Sequence, residues 1–468
     1  MANSAKSAAV EIVRTLRARG FQAYFVGGCV RDLLLKREPA DYDVSTDARP
    51  EEVMRIFPKT WAVGAQFGVV LVPVSSSREQ VIGRTGGLSF TQSTDDQITG
   101  SSDHPMTIEV ATFRSDGLYT DGRHPDRVTY TKDPRQDVQR RDFTINGLLL
   151  DPMTDGVLDY VGGQEDLRRR LIRTIGSPER RFAEDKLRML RAVRFAARFG
   201  YAIDEATVAA IRQLAPQIAQ VSDERVRDEL TKMLTEGHAR RAFELLDESG
   251  LLHEVLPEVE KMKGVEQPPE FHPEGDVWIH TLLMLEMLPA GASRTLAWGA
   301  LLHDVGKPPT FRVAPDRIRF DNHVEVGVAM AHDIARRLRM SNDDTEQIAA
   351  LVGQHMRFAD SPKMKASTLK RFLRQPQFPE HLEMHRIDCL ASHGDLGIYE
   401  FLHDQLRQTP PEQIRPRPLL NGDDLQQMGY RPGPQFREIL SAVEDAQLEG
   451  NIRSREQAEE LVRREFPL

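Results

Sequence analysis

The chain has 468 residues, which is too long for a single hydrophobic core and predicts several domains. Hydrophobic residues make up 40% of it and charged residues 28%, an ordinary balance for a soluble protein. The net charge of −9 excludes a uniformly basic nucleic-acid-binding protein, so any RNA contact requires a local basic surface. The two cysteines lie far apart, and no apolar run is long enough to span a bilayer, so we expect a cytoplasmic protein without a membrane partner.

Residues 24–47 predict a strand, a glycine turn, a short helix and a second strand, after an N-terminal helix over residues 5–20. In the turn, Gly27 and Gly28 let backbone N–H groups approach a ligand without a Cβ in the way. Arg31 follows at the start of the helix, where a phosphate is favoured. A glycine pair is usually only a turn, so this stretch indicates a phosphate site only in combination with other motifs.

Two carboxylates follow the glycine turn. Asp41 and Asp43 are two residues apart, so on a strand their side chains point to the same face. Such a pair suits one or two Mg²⁺ ions and a nucleoside triphosphate. Residues 75–105 are rich in Ser, Thr, Gly, Asp and Gln and predict a mobile insertion between strands. Residues 107–114 then predict a strand, on which Glu109 is either a third carboxylate of this site or an ordinary strand residue.

A basic stretch over residues 167–200 is predicted to be helical. Residues three or four apart share a helix face, which predicts a polar stripe of Asp185, Arg188 and Arg191, with Arg194 turning away from it. Arginine-rich stripes are most often solvated faces. A carboxylate beside a guanidinium also complements the pairing edge of cytosine and adenine, where an amino donor neighbours a ring-nitrogen acceptor. The stripe resembles the base-reading helix of the CCA-adding enzyme family, and this resemblance implies side chains that select CTP and ATP over UTP and GTP.

Histidines and aspartates recur on successive predicted helices after a proline-bearing linker over residues 261–273. In chain order they are His280, His303, Asp304, His323, His355 and Asp388. The order H…HD…H…H…D resembles the HD superfamily of metal-dependent phosphohydrolases, whereas a single buried histidine is more often a core residue. Imidazole and carboxylate suit Mn²⁺, Fe²⁺, Ni²⁺ or Zn²⁺, which can generate a hydroxide nucleophile at neutral pH. His272, His385 and His393 are candidates for outer positions of this site.

The head and neck motifs together resemble the nucleotidyltransferase family of tRNA CCA-adding enzymes and bacterial poly(A) polymerases. These motifs are GGCVRD at residues 27–32, DYD at 41–43, RRDFTIN at 140–146 and EDKLRMLRAVRF at 184–195. The resemblance implies that Arg141 contacts the triphosphate or sugar of a nucleotide and that Asp142 helps hold that geometry. It also implies that Arg191 and Arg194 lie near phosphates. A salt-bridged helix start is the alternative for residues 140–142, and the two roles can coexist.

The expected fold class is α+β, with an N-terminal nucleotidyltransferase head built on a small mixed β-sheet, followed by an all-α neck, body, HD domain and tail. The expected bounds are residues 1–155 for the head, 156–265 for the neck and body that bind the nucleotide base and RNA, 266–405 for the HD domain, and 406–468 for the tail. Two features depart from the family pattern: the insertion at residues 75–105, and Gly147 where an alanine is usual.

The activity implied by the resemblance is template-independent addition of CCA, or part of it, to tRNA 3′ ends from CTP and ATP, with Mg²⁺ at Asp41 and Asp43. The implied partners are tRNA and the two nucleotides, with no DNA. An HD phosphohydrolase activity on RNA-terminal phosphates is a further expectation. Two alternatives stay open: a poly(A) polymerase, for which a more basic tail is expected, and a phosphohydrolase whose head only holds RNA. The sequence leaves open the oligomeric state, the HD metal, and addition of only CC or only A.

Overall fold

A computed structural model describes residues 2–62, 68–74, 106–117, 126–270, 272–289, 291–315 and 317–468 of the chain. The described residues divide into two compact units, Met1–Val221 with Ser249–Leu251, and Ser222–Glu248 with Leu252–Leu468. The insertion predicted over residues 75–105 lies outside the described residues. The finer bounds expected for head, neck, HD domain and tail stay a prediction.

The first unit combines helices with short strands. Its helices are Ala2–Ala18 (α1), Gly28–Leu34 (α2), Pro50–Ile56 (α3), Pro134–Gln139 (α4), Gly163–Arg169 (α5), Pro178–Glu184 (α6), Leu187–Phe199 (α7) and Glu205–Leu214 (α8), with 3-10 turns at Thr144–Asn146 and Ala215–Gln220. Its strands are Ala23–Val26 (β1), Asp43–Thr46 (β2), Val69–Pro73 (β3), Thr107–Thr112 (β4), Arg114–Asp116 (β5), Val128–Tyr130 (β6), Leu148–Asp151 (β7), Gly156–Asp159 (β8), Leu171–Ile172 (β9) and Ala202–Ile203 (β10).

A mixed sheet forms the centre of the head. Among the described residues its strand order is β3-β4-β2-β1-β7-β8, with β2 and β4 parallel and the other neighbours antiparallel. Apolar strands such as β1, with the sequence AYFV, bury their side chains against α1, and Arg17 of α1 binds Asp151 at the end of β7 at 2.8 Å. The sheet thus holds β2, which carries Asp43, between two other strands.

The basic stretch after the head is not one continuous helix. The strand β9 separates α5 from α6 and pairs in parallel with β10, and an extended residue, Asp185, separates α6 from α7. The prediction of one helical stripe running from Asp185 through Arg188 to Arg191 is therefore wrong at Asp185. Pro178 begins α6 and the φ of −150° at Asp185 ends it, so the stripe starts at a junction between helices.

The second unit is helical apart from one described hairpin. From residue 222 its helices are Asp223–Thr235 (α9), Ala239–Glu248 (α10), Leu251–Val255 (α11), Pro257–Glu260 (α12), Val277–Glu286 (α13), Arg294–Leu302 (α14), Lys307–Thr310 (α15), His323–Arg337 (α16), Asn342–Gln354 (α17), Ala366–Leu373 (α18), Phe378–Ala391 (α19), Gly397–Gln408 (α20), Pro411–Ile414 (α21), Gly422–Gln427 (α22), Pro434–Glu449 (α23) and Arg455–Glu465 (α24). The hairpin pairs Phe311–Val313 (β11) with Ile318–Phe320 (β12), and a 3-10 helix covers His355–Lys363.

A buried core organises the helices of the second unit. The helix α14 (RTLAWGALL) is apolar all round and packs against α9, α13, α17 and α19. A helix without a polar face is expected at the centre of a bundle. Towards the C-terminus, α23 and α24 share an apolar cluster with Tyr430, and Glu444 of α23 binds Arg371 of α18 at 2.6 Å. The α+β class, with a small mixed sheet in the head and a helical remainder, is confirmed.

Candidate active site and metal centre

The predicted carboxylates lie at one end of strands β2 and β4. Asp43 is the first residue of β2 and pairs in register with Glu109 of the parallel strand β4. Asp41 precedes the strand, but the expected alternation is kept, because Tyr42 is buried whereas Asp41 is exposed. Strand pairing, rather than closeness in sequence, thus brings Glu109 beside the predicted pair, as expected if it is a third carboxylate.

The carboxylates raise one another's proton affinity. Burial, and then the charges of Glu109 and Asp41, raise the pKa of Asp43 to about 7, against an opposing effect of Arg141. Desolvation, and then Asp41, also raise the pKa of Glu109. A group of acidic side chains that resist ionisation together favours binding of a cation, which compensates their repulsion. The residues present therefore fit a divalent metal with oxygen ligands.

Arg141 faces this group from the segment between α4 and β7. Burial raises the pKa of both Asp43 and Glu109, and the positive charge of Arg141 opposes that rise without reversing it. Arg141 also donates a hydrogen bond to buried Asp137 at 3.0 Å. It also lies against the glycine turn, since a Cβ added to Gly27 would come within 3.4 Å of Arg141 Nη1. Gly27 has a φ of +74°, a conformation that favours glycine. The glycine turn, the arginine and the carboxylates thus meet at one place.

Arg31 has a more buried position than its predicted role suggested. It is the fourth residue of α2, is 5% exposed, and donates hydrogen bonds to Asn146 and Asp32, each at 2.8 Å. Its guanidinium lies 4.6 Å from the ring centroid of Phe199. Gly28, the first residue of α2, lies beside it, because an added Cβ there would be 3.5 Å from Arg31 Nη2. These contacts brace α2, and nucleotide binding by Gly28 and Arg31 stays a prediction.

Buried Asp142 and half-buried Arg191 form an ion pair that joins α7 to the segment after α4. Arg191 donates two hydrogen bonds to Asp142 Oδ2, at 2.7 and 3.0 Å, and Asn146 donates a third to Oδ1. Burial alone would raise the pKa of Asp142, but Arg191 and these hydrogen bonds lower it to about 2. Arg194, one turn further along α7, is 5% exposed and lies over the ring of Phe195 at 4.5 Å. The predicted bracing role of Asp142 thus has a geometric counterpart.

Asp185 and Arg188 flank the junction between α6 and α7. Asp185 Oδ1 accepts the backbone N–H of Leu187, the first residue of α7, at 3.1 Å. Arg188 donates to Glu184 Oε2 at 2.7 Å and to the backbone carbonyl of Arg140 at 3.2 Å. Arg140 immediately precedes the arginine that faces the carboxylates, so Arg188 of the predicted base-selecting pair contacts the segment that adjoins the predicted metal-binding carboxylates.

A cavity of about 740 Å³ adjoins this segment on another side. Its lining includes Arg140, Glu184, Asp116, Tyr160 and Arg173. Neither the carboxylates of β2 and β4 nor the glycine turn belongs to the lining found among the described residues. The cavity is therefore distinct from the carboxylate site, although it borders two residues that Arg188 contacts.

The second candidate site draws residues from separate helices of the second unit. His280 lies on α13, His303 and Asp304 follow α14, His323 begins α16, His355 follows α17, and Asp388 lies on α19. The close approach of α16 depends on Gly306, because a Cβ there would lie 2.0 Å from the carbonyl oxygen of His323. A glycine is required at that position for the ligand-bearing helices to meet.

The ligand atoms of these residues converge. Nitrogen and oxygen atoms of His280, His303 and Asp304 lie within 4.8 Å of one another, and so do those of Asp304, His323 and His355. His280 Nε2 also lies 3.1 Å from Asp388 Oδ1. Among the described residues, the Nε2 atoms of all four histidines are buried without a hydrogen-bond partner. Buried polar atoms are otherwise almost always paired, so this donor set fits a metal ion.

Backbone carbonyls orient the rings of three of the histidines. Nδ1 of His303 lies 2.9 Å from the carbonyl oxygen of Ala300, and Nδ1 of His323 and His355 lies 2.9 and 2.7 Å from the carbonyls of Phe320 and Val352. An Nδ1–H donated to a carbonyl leaves Nε2 as the free, basic nitrogen. These three rings are therefore set in the tautomer that binds a metal.

The residues of this cluster differ in protonation state. Burial lowers the pKa of His355 to about 4 and lowers that of His323, which keeps both imidazoles neutral. Burial alone would raise the pKa of Asp304, but His303 and Lys307 hold it well below its usual range. Burial opposes protonation of His280, but Asp388 and Glu274 raise its pKa to about 9. Asp304 is thus ionised and His323 and His355 are neutral, the forms that bind metals, whereas His280 would have to release a proton to bind one.

Sequence reasoning missed part of this centre. Residues 261–273, predicted as a linker, end in a loop that reaches the cluster: Gln267 accepts from Lys307 Nζ at 2.6 Å, and Glu274 lies 2.8 Å from His280. His272, predicted as an outer residue, contacts Glu274 at 2.9 Å. No spacing rule singles out Glu274, because its partner is identified only by the fold. His385 instead stacks on Phe358, with ring centroids 4.5 Å apart.

Three known families match the chain. Residues 23–83 and 76–173 match the family described as "Poly A polymerase head domain", residues 200–263 match "Probable RNA and SrmB- binding site of polymerase A", and residues 276–392 match "HD domain". These matches follow the predicted order of head, neck and HD domain.

Similar proteins cover nearly the whole chain. A protein of Geobacillus sp. (strain WCH70) named "CCA-adding enzyme" is 32% identical over 450 residues, which is 95% of this chain and 93% of that protein. The crystal structure of the Bacillus stearothermophilus CCA-adding enzyme in complex with CTP has a TM-score of 0.73 and 28% identity, covering 98% of this chain and 97% of the other. The Thermotoga maritima CCA-adding enzyme complexed with tRNA, at 18% identity and a TM-score of 0.56 over 97% and 93% of the two chains, shares the fold.

These similarities bear on the predictions made from sequence. The relatives' name confirms the prediction of a CCA-adding enzyme over the alternatives of poly(A) polymerase and of a phosphohydrolase with a passive head. Among the described residues, no helix combines the length and apolarity needed to cross a membrane.

Proposed function

Because the chain belongs to the CCA-adding enzyme family, we propose that it transfers cytidylate and adenylate to tRNA 3′ ends from CTP and ATP, without a nucleic-acid template. The observation that supports this most directly is the register of Asp43 opposite Glu109, with Arg141 facing both. Carboxylates that hold metal ions next to a guanidinium that binds phosphate are the parts that nucleotidyl transfer requires.

Asp41 and Asp43 would hold Mg²⁺, with Glu109 as a third carboxylate. Bound there, Mg²⁺ would lower the pKa of the RNA 3′-hydroxyl and would compensate the negative charge of the departing pyrophosphate. In the reaction the 3′-oxygen forms a bond to the α-phosphorus, the bond to the bridging oxygen breaks, and the hydroxyl proton is lost. Arg141 binds the triphosphate and draws it against the glycine turn, and the Asp142–Arg191 pair keeps that segment in place.

Asp185 and Arg188 would choose the base. The Asp185 carboxylate accepts from the amino group of cytosine or adenine, and Arg188 donates to the neighbouring ring nitrogen. Uracil and guanine present a carbonyl and an N–H at these positions, so they leave polar groups unpaired at a cost of about 1–3 kcal/mol each. In the present structure Arg188 donates to Glu184 and to the carbonyl of Arg140, and a bound base would replace one of these acceptors.

Substitution of one metal-binding aspartate tests the transferase proposal. Asp41→Asn removes a charged ligand with little change in shape, and we expect incorporation of CTP into tRNA lacking its CCA end to fall by about a thousand-fold or more. Asp155→Asn, at an exposed turn of the same unit, is the matched control and should retain full activity. Full activity of Asp41→Asn would contradict the assignment.

We also infer a metal-dependent phosphohydrolase centre in the second unit, because its candidate ligand atoms form three groups that overlap at His280 and Asp304, the outermost of which is His272, Glu274 and His280. His280, His303, Asp304 and Asp388 would hold one ion, and Asp304, His323 and His355 a second, with Asp304 shared. Such ions supply a hydroxide at neutral pH, and the substrates that fit the transferase role are phosphates at RNA ends. His303→Ala should abolish tight metal binding, and unchanged binding would refute this centre.

The further partners and location follow from the proposed reaction. The stretch over residues 200–263, which matches a probable RNA-binding family, would contact tRNA. A tRNA-processing enzyme that consumes CTP and ATP is expected in the cytoplasm, and two free, buried cysteines agree with a reducing compartment.

A further inference from the structure

One histidine of the metal centre lacks the orienting contact that the others have. His303 and His355 follow the ends of α14 and α17, and His323 begins α16, so each lies near a carbonyl that regular helix bonding leaves available. His280 lies inside α13, where the carbonyl of Asp276 accepts the His280 N–H and that of Val277 accepts the Thr281 hydroxyl. A ligand histidine inside a helix therefore needs a side chain to orient it.

The Glu274 carboxylate lies next to Nδ1 of His280, where each of the other three histidines has a backbone carbonyl. Its Oε1 atom lies 2.8 Å from Nδ1 of His280, while Nε2 of the same ring lies 3.1 Å from Asp388 within the ligand cluster. The Glu274 side chain is only 6% exposed, and it also contacts Nδ1 of His272 at 2.9 Å. The imidazole is thus placed between a carboxylate outside the cluster and a carboxylate inside it.

The loop that carries Glu274 is held firmly at both ends. We call residues 266–270 and 272–276 the strap. Glu266 and Asp276 form an antiparallel bridge, and Gln267 N–H donates to the carbonyl of Gly275 at 2.7 Å. Asp276 also accepts the N–H of Ile279 in the first turn of α13. The strap is therefore anchored to the helix that bears His280, so the position of Glu274 is fixed relative to its partner.

A second side chain of the strap reaches the same centre. Gln267 is 2% exposed, and its Oε1 accepts from Lys307 Nζ at 2.6 Å. Lys307 Nζ in turn lies 2.7 Å from Asp304, the carboxylate that both proposed ion sites share. The strap therefore touches the cluster at two points, through His280 and through Lys307, which is unexpected for a passive linker.

We propose that Glu274 is a positioning residue of the metal centre, and that the strap forms its outer shell. This inference rests on the proposed HD centre. The Glu274 carboxylate, 2.8 Å from Nδ1 of His280, fixes the ring orientation and makes Nε2 more basic towards the metal. Outer carboxylates of this kind typically change metal affinity by about 10–100-fold when removed.

The test measures Mn²⁺ binding by electron paramagnetic resonance, which gives affinity and stoichiometry from the free-ion signal. The full chain carrying Asp41→Asn and Asp43→Asn serves as the parent, so that the head carboxylates do not contribute. Glu274→Gln should weaken Mn²⁺ binding about 10–100-fold without changing the number of ions bound. Glu270→Gln, the same substitution at an exposed position of the strap, should leave the affinity unchanged.

Two further measurements separate positioning from other roles. The thermal unfolding temperature of the metal-free Glu274→Gln protein should match that of Glu270→Gln, which excludes a general structural effect. In a His280→Ala background, Glu274→Gln should have no additional effect on Mn²⁺ affinity, because the carboxylate acts through that ring.

Each contrary result has a distinct meaning. A parent that binds no Mn²⁺, or binds it equally well with His303→Ala, would overturn the metal centre and this inference with it. A parent that binds Mn²⁺ and loses it with His303→Ala, but is unaffected by Glu274→Gln, would overturn only the positioning role. Loss of a whole equivalent of Mn²⁺ in Glu274→Gln would also overturn it, because Glu274 would then be a ligand itself.

Discussion

At the scale of single residues, the head depends on a buried carboxylate that binds no nucleotide in the proposed mechanism. Asp142 is 9% exposed and receives two hydrogen bonds from Arg191. Removing one partner of a buried pair leaves the other uncompensated, which is why such pairs are costly to break. The resemblance implied the bracing role of Asp142, but its partner, 49 residues away in sequence, is identified only by the fold.

Asp142→Asn should destabilise the head in a pH-dependent way. The folded-state pKa of Asp142 is about 2 and its ordinary value is 3.8, so the pair stabilises the fold above pH 4 and loses that effect as the pH falls towards 2. The shift corresponds to about 2 kcal/mol at neutral pH, and about half of that remains at pH 3. Denaturant unfolding of Asp142→Asn, compared with Asp155→Asn at pH 7.5 and pH 3, measures the difference. An equal loss at both pH values would contradict the ion pair.

Gly147 departs from the family pattern, and the structure gives a physical reason for it. The family resemblance implies an alanine there, and this chain has glycine. A Cβ added at this position would lie 2.9 Å from side-chain atoms of both Ile175 and Val161. The packing of these two branched side chains therefore accounts for the glycine, and such a close approach is not visible in a sequence pattern.

At the scale of secondary-structure elements, the main departure from expectation is the junction between α6 and α7. Helical periodicity predicted one face for Asp185, Arg188 and Arg191, but Asp185 is extended and its side chain accepts the N–H of Leu187. A carboxylate that accepts a backbone N–H at a helix start competes with helix continuation, and periodicity counting does not detect this. Asp185 consequently has a structural contact as well as its proposed contact with the base.

Asparagine and alanine at position 185 should separate these two roles. Asp185→Asn keeps an oxygen acceptor for Leu187 N–H, so its stability should stay near that of the wild type, whereas Asp185→Ala should lose about 1 kcal/mol. Because the asparagine amide can also donate, Asp185→Asn should lower the preference for CTP over UTP by roughly 10-fold or more. Competition between labelled CTP and UTP, together with thermal unfolding, measures both effects. Unchanged base preference in both variants would remove Asp185 from base selection.

The strap is the second element that the sequence did not predict. Its prolines and lack of periodicity are typical of a linker. Its role depends on contacts to α13 and to Lys307 that join residues up to 40 positions apart. By contrast, the local and regular pattern of the tail predicts helices over residues 435–448 and 454–464, each bound within one residue of those of α23 and α24.

At the scale of the whole molecule, the proposed transferase site and the proposed phosphohydrolase site belong to different units of one chain. The ligand types of both were evident from sequence, since paired aspartates and the histidine–aspartate series are recognisable before folding. Sequence reasoning left Glu109 open between a third carboxylate and an ordinary strand residue, and strand register places it opposite Asp43. It did not identify Arg191 as the partner of Asp142, or Glu274 beside His280. Each of these contacts joins parts of the chain that only the tertiary fold brings together.

The central claim is that side chains, rather than a template strand, direct addition of cytidylate and adenylate to tRNA. It is tested most directly by incubating the purified chain with tRNA lacking three, two, one or none of its terminal nucleotides, with each nucleoside triphosphate alone and in mixture. The account predicts that CTP and ATP together extend these substrates by three, two, one and no nucleotides, and that UTP and GTP are not incorporated. Long adenylate tracts on unrelated RNA, or extension beyond the CCA end, would contradict it.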